Sequence, residues 1–258
     1  MLINTLICLG ILGSWPFYEP PGNTYAVVVG IADYQALTYR TGDLRYADKD
    51  ARQMVSYFRS KAGGNVPANH IRLLTNQQAT YQQIREALSL FKQAKPGDRV
   101  IFYFSGHGLP ESFVPYDVRP GNRQKLLSYQ AIKSAFRDSK ATTKLCIADA
   151  CLAGGLTKQQ RQKTAQITAN EDNNHYVAML LASRSTQYAV EDQRLQGGAF
   201  TYYLLKGLMG QADLDGNQIV TIRELHQYIA PRVKQATRSR QTPVFYGKFP
   251  DKLALSYL

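Results

Sequence analysis

From Tyr25 onward the chain alternates between two hydrophobic rhythms. Tyr25–Ile31 (YAVVVGI) is a continuous apolar, Val-rich run, the pattern of a strand buried on both faces. Leu44–Phe58 then places Ala51, Met54, Val55 and Phe58 at helical spacing. His70–Leu74 reads as a short strand. Thr80 opens a helix, with Gln83 completing a capping box and Ile84, Ala87, Leu88 and Phe91 on one face. Pro96-Gly97 ends it, and Arg99–Phe104 (RVIFYF) is a second buried strand. A helix from Ser128 to about Phe136 follows, then strands at Lys144–Ala148 and Val177–Ala182. Helices are predicted at Phe200–Leu208 and Thr221–Val233. Strand alternating with helix predicts an α/β fold with a mostly parallel central sheet flanked by helices on both faces. Leu109–Leu127 and Leu156–His175 read as long loops, a length that is usually functional or cleavable.

Composition adds limits to this picture. The 258 residues are 44% hydrophobic and 19% charged, which excludes a disordered tail, a collagen-like fibre and a coiled coil. Three cysteines (Cys8, Cys146, Cys151) make no disulfide framework and no CxxC zinc pair. Only His70, His107, His175 and His226 are available for histidine chemistry. The formal charge of +12 could draw nucleic acid or an anionic surface. Its densest cluster, Arg232, Lys234, Arg238 and Arg240, is short and has no recognition motif beside it. No nucleic-acid partner is therefore expected.

The first 24 residues form a separate segment ahead of the domain at 25–258. Leu2–Gly13 is an apolar run too short to span a membrane. It has the character of a secretory h-region, with Gly13 and Ser14 where cleavage would fall but no basic n-region. A secreted or periplasmic location is the expectation, against a plain hydrophobic N-terminal strand or a misjudged start. Trp15–Thr24, with three prolines, reads as an extended linker.

In parallel sheets, ligands bind beyond the carboxyl ends of the strands. Ser105-Gly106-His107-Gly108 follows RVIFYF, and Asp149-Ala150-Cys151-Leu152-Ala153-Gly154-Gly155 follows KLCIA. If these two strands are neighbours, Cys151 and His107 face one another as nucleophile and base. Glycines beside them would let backbone N–H groups reach an oxyanion. Cys146 lies inside its strand and belongs to the core.

These segments resemble the caspase-like fold, and within it the metacaspase-like prokaryotic branch. The resemblance runs from Tyr25 to the C-terminus through YAVVVGIADY, LRYADKDA (Leu44–Ala51), FYFSGHG, the DAC motif with its glycines, and GGAFTYYLL (Gly197–Leu205). His precedes Cys by 44 residues, as in the family. The resemblance implies a cysteine endopeptidase with Cys151 as nucleophile, His107 as base, and an oxyanion hole from the N–H groups of Gly108 and Cys151. No third triad member is evident. Metacaspases often read DxCHSG, whereas Leu152 and Ala153 follow the cysteine here, which leaves the pocket shape open.

The resemblance also bears on specificity. Metacaspases cleave after Arg or Lys and use acids. Asp149, two residues before Cys151, and Asp50, in LRYADKDA, match those positions, and paired carboxylates suit a guanidinium. The plainer roles are a first-turn helix acid for Asp50 and a strand-end turn residue for Asp149. Ser183 and Asp192 are placed along the same pocket. The implied partner is a polypeptide with a basic residue before the scissile bond, and no cofactor is required. Asp213, Asp215, Asn217, Ile219, Thr221 and Glu224 have EF-hand spacing for calcium, but Gln218 replaces the usual Gly. A capping box from Thr221 to Glu224 is the preferred reading. Lys158, Arg161 and Lys163, in the loop after the Cys motif, would make self-processing sites. The competing reading is a catalytically silent caspase-like binding module.

Overall fold

The computed structural model describes residues 22–38, 42–109, 111–119, 121, 124–150, 176–182, 191–192 and 194–258. Cys151, Ser183, the loop 156–175 and the N-terminal segment 1–21 lie outside the described residues, as does the side chain of Asp192.

The apolar runs become the strands of one sheet. In chain order the strands are β1 (Thr24–Gly30), β2 (Ile71–Thr75) and β3 (Arg99–Gly106), then β4 (Gly108–Leu109), β5 (Ser112–Phe113) and β6 (Leu127–Ser128), which make a small antiparallel sheet of their own, then β7 (Thr143–Ala150) and β8 (Tyr176–Leu181). The pairs β9 (Glu191–Asp192) and β10 (Gly197–Gly198), and β11 (Ile219–Thr221) and β13 (Ala254–Tyr257), form ribbons, while β12 (Val244–Lys248) joins the main sheet. That sheet has the order β12-β8-β7-β3-β1-β2, parallel except for β12 at its edge.

Five α-helices are described: α1 (Ala47–Arg59), α2 (Tyr81–Ala87), α3 (Tyr129–Arg137), α4 (Ala199–Lys206) and α5 (Ile222–Ala236). Alternate strand residues feed two cores. Val27, Val29, Phe102, Phe104, Cys146 and Ala148 pack with Ile84, Phe91, Ile132 and Phe136 of the α2–α3 side. Val28, Tyr103, Leu145 and Ile147 pack with Met54, Phe58, Phe200, Leu204 and Ile229 of α1, α4 and α5. Two covered faces explain why these strands carry almost no polar positions.

The helix boundaries follow their caps. Thr80 accepts from the Gln83 N–H, Ser128 from that of Ala131, and Thr221 with Glu224 forms a full capping box. The predicted helix from Thr80 changes to 3-10 turns at Leu88–Gln93, which keeps Leu88 and Phe91 buried. The region expected to be one long loop, 109–127, contains β5 and reaches β6. β12 and β13 have no clear period in the sequence. β12 is only half-buried and carries Gly247, and β13 spans four residues.

One contact sets the position of α1. A Cβ on Gly30 would stand 2.5 Å from the Ala51 Cβ and 2.9 Å from the Asp48 Cα, so the helix rests directly on the β1 backbone. Gly30→Ala should push α1 outward and destabilise the protein by about 1–3 kcal/mol, the usual penalty for overpacking. Urea unfolding measures it, and an unchanged midpoint would contradict the close-packing account.

Candidate active site

β1, β3 and β7 end in register: Gly30 pairs with Ser105, and Ser105 with Asp149. One step further Gly106 pairs with Ala150, so His107 and Cys151 follow paired positions of neighbouring strands. Strand alternation sends Ser105 and Asp149 to the same face as Tyr103 and Ile147, toward α1 and α4.

Asp50 approaches from α1. It is 1% exposed and Asp149 is 4% exposed. Asp149 Oδ2 accepts from the Thr201 N–H at 3.1 Å and the Thr201 hydroxyl at 2.9 Å. The Thr201 hydroxyl lies 2.7 Å from the Tyr103 hydroxyl, so the buried phenol is the donor of that contact. Asp50 Oδ2 accepts from the Gly198 N–H at 3.0 Å and faces the Ser105 hydroxyl at 3.4 Å. Its other oxygen, Oδ1, is buried with no hydrogen-bond partner among the described residues. A Cβ on Gly198 would overlap Asp149 Oδ2 and stand 3.0 Å from Asp50 Oδ2, so the two carboxylates flank one glycine.

Burial pushes both carboxyls above their ordinary range. For Asp50 the Asp149 charge adds to burial, the Gly198 N–H opposes it, and Glu191 raises it further. For Asp149 the Thr201 bonds oppose burial and Glu191 again raises it. Two acids in one dry site therefore favour protonation when no cation is present.

His107 is half-buried and held on three sides. Its backbone N–H donates to the Tyr34 hydroxyl at 2.7 Å, and the Tyr34 ring lies 4.9 Å from the imidazole. Its Nε2 meets the Gly42 carbonyl oxygen. A carbonyl only accepts, so Nε2 carries the proton and Nδ1 remains the basic nitrogen. The backbone thus supplies the orienting group for which the sequence shows no side chain. Gly108 faces Phe113 across β4 and β5, bracketed by the bond from the Val114 N–H to the His107 carbonyl. That makes a non-hydrogen-bonded pair, which leaves the Gly108 N–H out of the ladder.

The structure brings together Asp50, Asp149, Gly108 and His107 at one end of the sheet. Ser105, Thr201, Gly42, Tyr34 and Glu191 join them without having been singled out by sequence. Ser105 could have been found from its parity with Asp149 on a paired strand. Gly42 offers no signal, because its backbone rather than its side chain makes the contact. Cys146 is fully buried, and burial pushes its thiol up to about 12.

Far from this end, Asp213, Asp215 and Glu224 bring carboxylate oxygens within 4.8 Å of one another. Glu224 also accepts from Thr221 and from the Leu214 N–H, and Gln218 adopts φ +67 where an EF-hand loop carries Gly. The left-handed turn therefore forms without the glycine on which the sequence argument against it rested. The expected capping box is present in the same loop.

Sheet order and covering helices are those of a caspase-like fold. Caspase-1 from Spodoptera frugiperda superposes with a TM-score of 0.63 at 10% identity, covering 91% of this chain and 90% of that one. Protein GSU0716 from Geobacter sulfurreducens gives 0.63 at 17% identity, covering 89% and 95%. The caspase domain model of the peptidase family matches residues 23–254, and the chain belongs to that family. A probable protease of a Desulfuromonadales bacterium is 29% identical over 150 residues, which take in 49% of this chain and 18% of the relative. The chain thus spans less than a fifth of that relative's length.

Unfolded aspartates titrate near ~3.9. Between that value and the raised native ones, rising pH strips protons from the unfolded chain while the native pair still holds its own. The native state loses stability over that interval. Asp50→Asn removes the penalty and keeps an acceptor for the Gly198 N–H. Its melting temperature should exceed wild type by about 2–5 °C at pH 8, with a smaller gain at pH 5. Equal gains at both pH values in thermal melts would contradict the raised carboxyls.

Proposed function

We propose that the chain is a cysteine endopeptidase that hydrolyses peptide bonds after Arg or Lys. Cys151 serves as nucleophile, His107 as base, and Asp50 with Asp149 as acceptors for the basic side chain. The observation that carries this reading is the buried acid pair. The charges acting most on it are its own members and Glu191, and Asp50 Oδ1 has no partner among the described residues. A guanidinium entering beside Gly198 would meet both carboxylates with charge-assisted bonds, and Ser105 would add a hydroxyl. Glycine at 198 keeps that approach open.

The chemistry follows from the histidine's orientation. His107 Nδ1 takes the thiol proton, and the thiolate attacks the carbonyl carbon after the basic residue. The developing oxyanion accepts from the Gly108 N–H, with the Cys151 N–H as the second donor. Collapse breaks the C–N bond, His107 returns its proton to the leaving amine, and a thioester remains on Cys151. Water deprotonated by His107 then releases the acid. The Gly42 carbonyl holds the imidazole throughout.

A panel of fluorogenic peptides ending in Arg, Lys, Asp or Leu tests the reading. Wild type should turn over Arg and Lys peptides. Cys151→Ala should abolish turnover and His107→Ala should lose nearly as much, since the pair acts as a unit. Cys146→Ala should stay active. Asp149→Asn should lower kcat/KM for Arg peptides by about 2–5 kcal/mol in transition-state binding, since one partner of a buried pair is removed. A preference for Asp peptides would overturn the specificity.

Self-processing is part of the same proposal. An enzyme with this preference would find Lys158, Arg161 and Lys163 in its own chain. Mass spectrometry should find fragments ending at these residues in wild type and none in Cys151→Ala. Intact, fully active wild type would contradict it.

A further inference from the structure

Glu191 lies outside both the sequence expectations and the proposed chemistry. Its Oε1 accepts from the Tyr46 N–H at 2.8 Å and the Arg45 N–H at 3.0 Å, and its Oε2 from the Arg45 N–H at 2.9 Å. These donors belong to the entry of α1, where Tyr46 is the N-cap residue and provides no side-chain cap of its own. The contact crosses 145 residues of sequence.

We propose that Glu191 is a positioning residue of the specificity site, tying the β9–β10 hairpin to the start of α1 so that the Gly198 amide meets Asp50. The proposal rests on the reading of Asp50 and Asp149 as acceptors for a basic side chain. It is carried by a closed ring of contacts. Glu191 pairs with Gly198 across the hairpin. The Gly198 N–H donates to Asp50 Oδ2. The Asp50 N–H donates to the Tyr46 carbonyl, one turn earlier in the chain. The Tyr46 N–H returns to Glu191. Opening the ring at Glu191 removes the tie at the entry of α1 and leaves, among the bonds described between the hairpin and that helix, the Gly198 bond to Asp50 and the exposed bond from Lys49 Nζ to Gln196.

The chemistry of the residue suits this role. Glu191 brings a third negative charge toward two acids that already repel, which by itself works against the pair. What offsets the repulsion is the set of N–H groups it accepts from, near a helix end that favours an anion. Because Oε1 accepts from both Arg45 and Tyr46, a neutral amide oxygen in its place keeps the tether and gives up only the Arg45 bond to Oε2, with the amide NH2 turned away from that N–H. A shorter carboxylate keeps the charge but loses the reach.

Two conservative variants therefore give opposite results for tether and charge. With Arg peptides, Glu191→Asp should raise KM roughly tenfold, the scale of a lost hydrogen bond to a charged acceptor, with kcat within about twofold of wild type. Glu191→Gln should stay within about threefold of wild type in both constants. Amide hydrogen exchange at Arg45, Tyr46 and Gly198 should quicken in Glu191→Asp and remain slow in Glu191→Gln. The reverse order of the two variants, or wild-type KM and exchange in Glu191→Asp, would overturn the positioning role. The wild-type panel separates this failure from that of the pocket. No turnover of Arg or Lys peptides overturns the pocket reading and the role with it. Turnover with an unchanged KM in Glu191→Asp overturns the role alone.

Discussion

Two carboxylates share a site from which water is nearly excluded, and the surrounding structure is arranged to hold them there. Asp50 and Asp149 arrive from a helix and a strand, 99 residues apart in sequence. Bringing them together opposes both desolvation and charge repulsion. The fold meets that opposition with the Thr201 hydroxyl and N–H on Asp149 and the Gly198 N–H on Asp50. It does not supply a cation to Asp50 Oδ1 among the described residues. On the proposed reading, a site that is destabilising when empty would become complementary when a guanidinium fills it, a trade of stability for function.

The rest of the site follows from packing rather than from charge. Close contact between β1 and α1 at Gly30 fixes the depth of Asp50. Parallel pairing of β3 with β7 fixes the lateral distance between the His and Cys segments. The loop between β1 and α1 carries Tyr34 and Gly42, which hold His107 by a hydroxyl and a carbonyl. The imidazole is therefore oriented by backbone geometry that α1 and β1 jointly impose. The positions of Asp50 and of the His107 imidazole depend on the same helix–strand contact.

Sequence patterning reached the sheet strands and the helices because their faces are covered and their caps are local. It also reached Asp50, Asp149, His107 and Gly108, since each sits in a short motif at a strand end or a helix start. Glu191 escaped attention because nothing local distinguishes it from Asp192. Its importance comes from donors 145 residues away. Gly42 and Tyr34 escaped for a related reason: a carbonyl and a remote hydroxyl leave no mark on residue type. At Gln218 the sequence argument misjudged the backbone, which reaches the left-handed region without glycine.

Proton release on ligand binding gives the most direct measurement. An uncleaved Arg-ended peptide is titrated calorimetrically into Cys151→Ala at pH 7, in two buffers of different ionisation enthalpy. If Asp50 and Asp149 receive the guanidinium, binding favours their ionised forms, and the two buffers report release of up to about one proton per peptide bound. Asp50→Asn in the same background should release less. Binding of the Arg peptide with no proton release, or binding of an Asp-ended peptide in its place, would contradict the acid pair as the specificity site.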